Sequence, residues 1–416
     1  MLAGLAVVFF ARAHFPPDYR RDRETGAARA AEDAGGELHV QDFAYVLNYA
    51  RRAAGRPGVS PYSVDEHRAF LDAWLGARVA SALCFAYSPT IVLVLSPLFP
   101  LPTPWAWLAF NIGSAWLASW AVRRGAGADP RLLALGRAAV INPNALYCLV
   151  LGQTALFTTG VLAAMLLADR RSRAASTVAA TCVFVLTMKP PLALVAAAAL
   201  LAAGCWSSLV AATAGVLLVL AAAVGWWGAE LIGDYVTLLG HYNLVQADPL
   251  FRAGLVPGLM SNLRNVLLHV GSLDDAQASA VSSVVLLATL SVPALLAAAT
   301  RRRLGLEIAL AWTAISYALF APHLSSTEDL ILLVVMLAVW RAEEIPPRLR
   351  LPCAALCIVP QFLGGSAAIV LGSGVEGAAA GALPPLAFAA KLALGAVVAA
   401  HLRPAAHSVS GRSSSS

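Results

Sequence analysis

The chain has 416 residues, 59 % of them hydrophobic and 12 % charged, with a mean hydropathy of +0.72 and a formal net charge of +6. Soluble domains carry about a quarter charged residues, so this composition excludes an ordinary water-soluble protein. The basic surplus is almost all arginine, since Lys189 and Lys391 are the only lysines; arginines set in short turns between apolar runs report topology and not nucleic-acid binding.

The opening stretch, MLAGLAVVFFA, is too short to span a bilayer and lacks a charged leader region and a small-residue cleavage site, so it reads as the trimmed end of a first span. A polar segment follows over residues 12–78. Apolar runs then recur at about 79–101, 104–122, 144–168, 172–188, 190–204, 205–225, 280–299, 305–321, 326–341, 351–371 and 383–400. A helix crossing the hydrocarbon layer needs about 20 such residues. With the N-terminal stub this predicts an all-α polytopic integral membrane protein of about 12 transmembrane helices, one domain over 1–404 with a disordered tail at 405–416.

Arginines at 170, 171 and 173, at 301, 302 and 303, and at 341, 348 and 350 mark one side as cytoplasmic. Counting from them puts the polar segments 12–78 and 226–279 outside. Arg123 and Arg124 conflict with that count, which an interfacial or re-entrant helix over 129–143, DPRLLALGRAAVINP, would reconcile. The six cysteines lie in or beside apolar runs without a CxxC pair and read as packing residues, and no metal-ligand spacing is present.

The outer ends of the spans collect polar groups: Asp42, Tyr87, Ser88, Asn142, Asn144, Gln153, Lys189, His241, Asn243, His323, Ser325 and Ser326. Polar and ionisable groups at membrane depth are costly unless they line a cavity or meet a partner. Lys189, in TMKPPLAL, interrupts a long apolar stretch; it either meets an anion or snorkels from a helix end broken by Pro190 and Pro191. His323, in APHLSSTEDL, is placed to donate to phosphate oxygens or to shuttle a proton; the alternative is a helix start at which Ser326 and Asp329 form a capping box. Asp42 competes with Asp18, Asp22, Asp33, Asp65 and Asp72, and each of these reads equally as a solvated loop charge. Its setting among Phe43, Tyr45 and Tyr49 would shield it from water and offer stacking surfaces to a sugar ring.

The segments QDFAYVLNYARRAAGRPGVSPYS, FAYSPTIVLVLSPL, LGQTALF, MKPPLAL and APHLSSTEDL, in this order, resemble the polyprenyl-phosphate-mannose-dependent mannosyltransferases of glycosyltransferase family 87. The likeness runs from about residue 38 to residue 340. It implies a GT-C type fold and an inverting, metal-independent hexosyltransferase without cofactor. It implies a polyprenyl-phosphate sugar donor, its tail lying in membrane lipid between spans, and a glycolipid or polysaccharide acceptor, at the extracytoplasmic face of the plasma (inner) membrane. By this resemblance Asp42 is the general base, His323 a second catalytic group, and Lys189, Tyr87, Gln153 and Ser325 bind the donor. The chain departs from the family pattern at Ser88, where a proline is usual, and in the polar insert at 16–37. A secondary transporter or lipid flippase is the rival reading, since it too would be polytopic with proline-broken helices; no internal symmetry between the halves favours it. A third is an assembly subunit of the family without activity of its own.

Overall fold

Proline, glycine and asparagine punctuate the apolar sequence, and the helices begin and end at them. Asp129 caps a helix whose first residue is Pro130, Asn142 caps one that starts at Pro143, and Pro190 opens another directly after Lys189. Each proline stands in the first turn, where a helix has no use for its missing N–H.

The computed structural model describes residues 42–75, 87–168, 174–245, 261–270, 273–322, 326–372 and 378–403. In chain order the helices are α1 (Asp42–Ala54), α2 (Val64–Leu75), α3 (Thr90–Leu95), α4 (Thr103–Ala126), α5 (Pro130–Val140), α6 (Pro143–Leu151), α7 (Ala155–Leu167), α8 (Ala174–Leu186) and α9 (Pro190–Ala202). They continue with α10 (Trp206–Trp227), α11 (Glu230–Val245), α12 (Leu263–Val270), α13 (Asp275–Thr300) and α14 (Leu306–Phe320). After a 3-10 turn at Ser326–Ile331 come α15 (Leu332–Arg341), α16 (Pro347–Gly372) and α17 (Ala378–Ala400). Among the described residues there is no strand.

The helices differ in what surrounds them. α14 and α15 are apolar on every face and buried almost throughout, so they form the centre. α10 and the Ala276–Thr300 part of α13 are equally apolar, with mean hydropathies of 2.2 and 2.1, yet only 17 % and 22 % of their apolar windows is buried. Val210, Leu218, Val284 and Leu295 are each more than 60 % exposed. A face of this kind has lipid as its solvent, and the protein is an all-helical membrane protein. By length and composition α10 and α13 each suffice to cross a bilayer; the pairs α3–α4, bent by 108°, and α5–α6, bent by 43°, suffice when each pair is taken as one.

Close contacts fix the direction of the chain. Gly125, beside Arg123 and Arg124, lies against Leu337 near the Arg341 end of α15. Gly204 lies against Arg303, Leu304 donates its N–H to the Ala202 carbonyl at 3.1 Å, and Gly305 lies against Glu344. The turns carrying Arg123, Arg301, Arg302, Arg303 and Arg341 therefore share one end of the bundle. This removes the conflict over Arg123 and Arg124: the helix expected at 129–143 is α5, and it continues through a 43° bend into α6. α5 and α6 run together as one bent passage back to the opposite end.

The expected single span at 144–168 is correspondingly two passages, because Gly152 turns the chain. It closes α6 in the left-handed conformation, φ 65°, with its N–H reaching back to Cys148 and Leu149 and that of Gln153 to Cys148. The region expected as one span at 79–101 also differs. Residues 76–86 lie outside the described residues, and α3 ends in a 3-10 turn at Ser96–Leu98 before the sharp bend into α4. The segment at 226–279, expected as a polar loop, contains α11 and α12. The N-terminal stub, the turn at 169–173 and the tail at 405–416 lie outside the described residues.

The end away from the arginines carries a platform made by α1 and α2. Arg51 ties α1 to the bend before α4, donating to Asn48, to Thr103 and to the Leu98 and Leu101 carbonyls. Trp227 Nε1 donates to the Ala53 carbonyl at 2.8 Å, and Gly58 N–H to the Trp226 carbonyl at 2.7 Å, so the platform rests on the C-terminal end of α10. Arg52 and Arg56 both grip Glu66 on α2. Burial alone would raise the Glu66 carboxyl, but the two guanidinium hydrogen bonds outweigh it and hold the group below its ordinary range.

Candidate functional site

Four segments meet at this end. The first is Tyr87–Thr90, ahead of α3. Ser88 N–H donates to the Met188 carbonyl at 3.2 Å and Thr90 Oγ1 lies 2.9 Å from Thr187 Oγ1, so this strip is laced to the residues before Lys189. Tyr62 of the platform donates to the Tyr87 carbonyl at 2.8 Å, which fixes it from above.

The second segment is the break between α8 and α9. Pro190 and Pro191 exclude a continuing helix, and Lys189 is left extended with φ −119° and ψ 90°. Its ammonium projects to the third segment, the 3-10 turn Ser326–Ile331, and pairs with Glu328 Oε1 at 2.7 Å. The Tyr87 ring centroid lies 5.9 Å from the same nitrogen, a cation–π distance. Tyr317 donates its hydroxyl to the other oxygen of Glu328 at 2.6 Å.

The fourth segment is the turn Gly152–Thr154. Thr327 donates to the Gln153 side-chain oxygen, joining this turn to the 3-10 turn beside Glu328. Gly152 carries the start of α1, since a Cβ built on it would fall 2.4 Å from Phe43 Cβ and 2.9 Å from Trp107 Cδ1. Phe43, the second residue of α1, is therefore brought against Gly152, one position before Gln153. Thr154 Oγ1, next along, is buried and has no hydrogen-bond partner among the described residues. A hydroxyl in that state costs free energy unless a ligand or water satisfies it.

Of the residues expected in the site, Tyr87, Gln153 and Lys189 come together here. Asp42 lies at the start of α1, with only its backbone described. His323 and Ser325 lie outside the described residues, immediately before the turn that bears Glu328. The side chains of His241, Asn243 and Ser326 are outside them as well.

Two expectations need correction. Tyr45 and Tyr49 are each 1 % exposed and cannot stack on a sugar. Their spacing of four puts both rings on one face of α1, where they pack on His67 and Phe70 of α2; Tyr49 also donates to the Pro61 carbonyl at 2.6 Å. Phe43 packs on Phe110 instead. Asn142 is no site group either: it caps α6 through the Ala145 N–H and donates to Gln361 Oε1 at 2.7 Å, locking the bent passage to α16.

Glu328, Tyr317 and Thr154 were missed as site residues. Glu328 stands in the APHLSSTEDL segment with no local partner to mark it, and the other two carry no signal inside apolar runs. Asp329 does something else again. Its carboxylate meets Lys391 at 2.6 Å and accepts from Ser261 Oγ at 2.9 Å, all fully enclosed.

Gly152→Ala tests the junction. The new methyl meets backbone-near atoms at a positive φ, so the variant is expected to lose about 1–3 kcal/mol of stability, read by thermal unfolding in detergent; an unchanged transition would show that α1 does not bear on this turn.

The junction holds a cation, a carboxylate, hydroxyls and an aromatic face at the end of a membrane bundle, a set suited to a charged amphiphile with a polar head. Neither a curated protein nor a solved structure matches the chain. The model of glycosyltransferase family 87 matches residues 85–327, more than half the chain, and that match begins two residues before Tyr87 and ends at Thr327. Three of the four segments that build the junction fall wholly within the matched span, and the chain belongs to glycosyltransferase family 87.

Proposed function

We propose that the protein is an inverting hexosyltransferase that moves a sugar, mannose by the family resemblance, from a polyprenyl-phosphate donor to an extracytoplasmic glycolipid or polysaccharide. The observation that carries this reading is the ammonium of Lys189 at the meeting point of Tyr87, Gln153 and the 3-10 turn, at the end of the bundle away from the arginine turns. The positive-inside rule supports assigning that end to the extracytoplasmic side.

In the reaction the acceptor oxygen attacks the anomeric carbon while the bond from that carbon to the phosphate oxygen breaks. The electron pair leaves with the polyprenyl phosphate, and the acceptor proton goes to the Asp42 carboxylate. Lys189 neutralises the departing phosphate, a charge-assisted contact that strengthens as negative charge builds there. His323 and Ser325 hydrogen-bond the phosphate, while Tyr87 and Gln153 hold the sugar-phosphate head. A single displacement turns a β-linked donor into an α-linked product. The leaving group is already an acidic phosphate, so the reaction as written draws on no metal or cofactor.

The test is purified protein in lipid vesicles given radiolabelled polyprenyl-phosphate mannose and a membrane glycolipid. A new glycoside is the expected product, and Lys189→Ala should raise the donor concentration needed by about tenfold or more with the acceptor requirement unchanged. Flux of labelled lipid across the vesicle without a new glycoside would establish the flippase reading instead.

A further inference from the structure

The chain's two lysines are met by two neighbouring carboxylates, and the two pairs are built differently. Lys391 Nζ is saturated: it donates to Asp329 Oδ1 at 2.6 Å, to the Ser261 carbonyl and hydroxyl at 2.7 Å each, and to the Ala318 carbonyl at 3.1 Å. Both members of that pair are 0 % exposed. Nothing can be exchanged there.

The Lys189–Glu328 pair is open by comparison, with side chains 17 % and 13 % exposed. Among the described residues, Glu328 is the one hydrogen-bond partner of the Lys189 ammonium, which has three protons to give. The Tyr87 ring covers one side of it. The residues on either side of Glu328 are held: Thr327 by Gln153, and Asp329 by Lys391 and Ser261. The backbone of the turn is thereby pinned from both sides, whereas the Glu328 side chain is held through its two carboxylate oxygens, by Lys189 and by Tyr317. Among the described residues, once the carboxylate leaves Lys189 the Tyr317 hydroxyl is its remaining hydrogen-bond partner, and a cavity of about 10 Å³, lined by Thr158, Thr159, Tyr317 and Glu328 together with apolar side chains, adjoins it.

We infer that Glu328 is an exchangeable counterion: with the site empty its carboxylate occupies the place on Lys189 that the donor's phosphate takes, and it swings aside when donor enters. This rests on the transferase reading above. A half-buried ammonium is costly without an anion beside it, so the site needs one at every stage of the cycle. The phosphodiester of the donor and the glutamate carboxylate each carry a single negative charge, and the exchange leaves the charge on Lys189 matched. Product release reverses it, because Glu328 returns to compete for the ammonium.

The test uses a fluorescent short-chain prenyl phosphate and the full-length protein in nanodiscs. Glu328→Gln removes the competing charge and should bind the probe about fivefold or more tighter than wild type, the effect of freeing a site that is otherwise mostly occupied. Tyr317→Phe, a milder change that keeps the fold should Glu328→Gln fail to assemble, releases the carboxylate and should also tighten binding. Wild type that binds the probe while neither variant binds it more tightly would overturn the exchange and leave the pair a fixed strut. Wild type that neither binds the probe nor transfers sugar would overturn the transferase reading, and the exchange with it.

Discussion

Lys391→Met is expected to destabilise the protein by about 3–5 kcal/mol, because it strands the Asp329 carboxylate in a place that water cannot reach. The ammonium it removes joins α17 to the 3-10 turn, to the Ala318 carbonyl on α14 and to Ser261 ahead of α12. Loss of monodisperse protein on heating, followed by size exclusion, measures the effect. The double variant Lys391→Met with Asp329→Leu should recover most of the loss, since a well-packed apolar pair replaces a buried ionic one at little cost or with gain. A single variant as stable as wild type would show that this pair does not hold the turn. Transfer should fall in step with the single variant, because Glu328 stands on the same turn.

Asp42→Asn is expected to abolish sugar transfer, by about 10²-fold at the least for the loss of a general base, while the protein inserts and assembles as before. Asparagine serves as well as aspartate at a helix start, and α1 is held by contacts that do not involve this side chain: Tyr45 and Tyr49 on α2, Phe43 on Gly152 and Phe110. The radiolabel assay on matched amounts of protein reads the outcome. Activity within a few-fold of wild type would take the base role away from Asp42.

Much of the fold was legible in the sequence because membrane helices must be long, apolar and internally bonded. The proline pairs and the arginine turns carried the most information. Pro190 and Pro191 broke the chain where α8 gives way to α9, and the arginines marked the shared end. The single span expected at 144–168 failed because of one residue. Gly152 reads as a small residue inside an apolar run, and nothing local says that it takes a left-handed turn and ends a helix there.

The site was legible in its cation and not in its anion. A lysine in an apolar stretch needs a counter-charge, and that argument found Lys189; its partner is 139 positions away, where no local pattern reaches. One count held the clue: two lysines in the chain, and two adjacent carboxylates at the head of an apolar run. The rings of α1 misled because aromatic content alone does not distinguish a sugar platform from a helix interface. Only the fourfold spacing of Tyr45 and Tyr49, read against His67 and Phe70, separates the two.

The scarcity of lysine also bears on chemical labelling. With Lys391 sealed from solvent and Lys189 partly open, an amine-selective ester has a single accessible side chain to acylate. Acylation requires the neutral amine, so an ammonium held by an anion resists it, and protection of Lys189 in peptide mass spectra would report that the counterion is in place without any engineered tag.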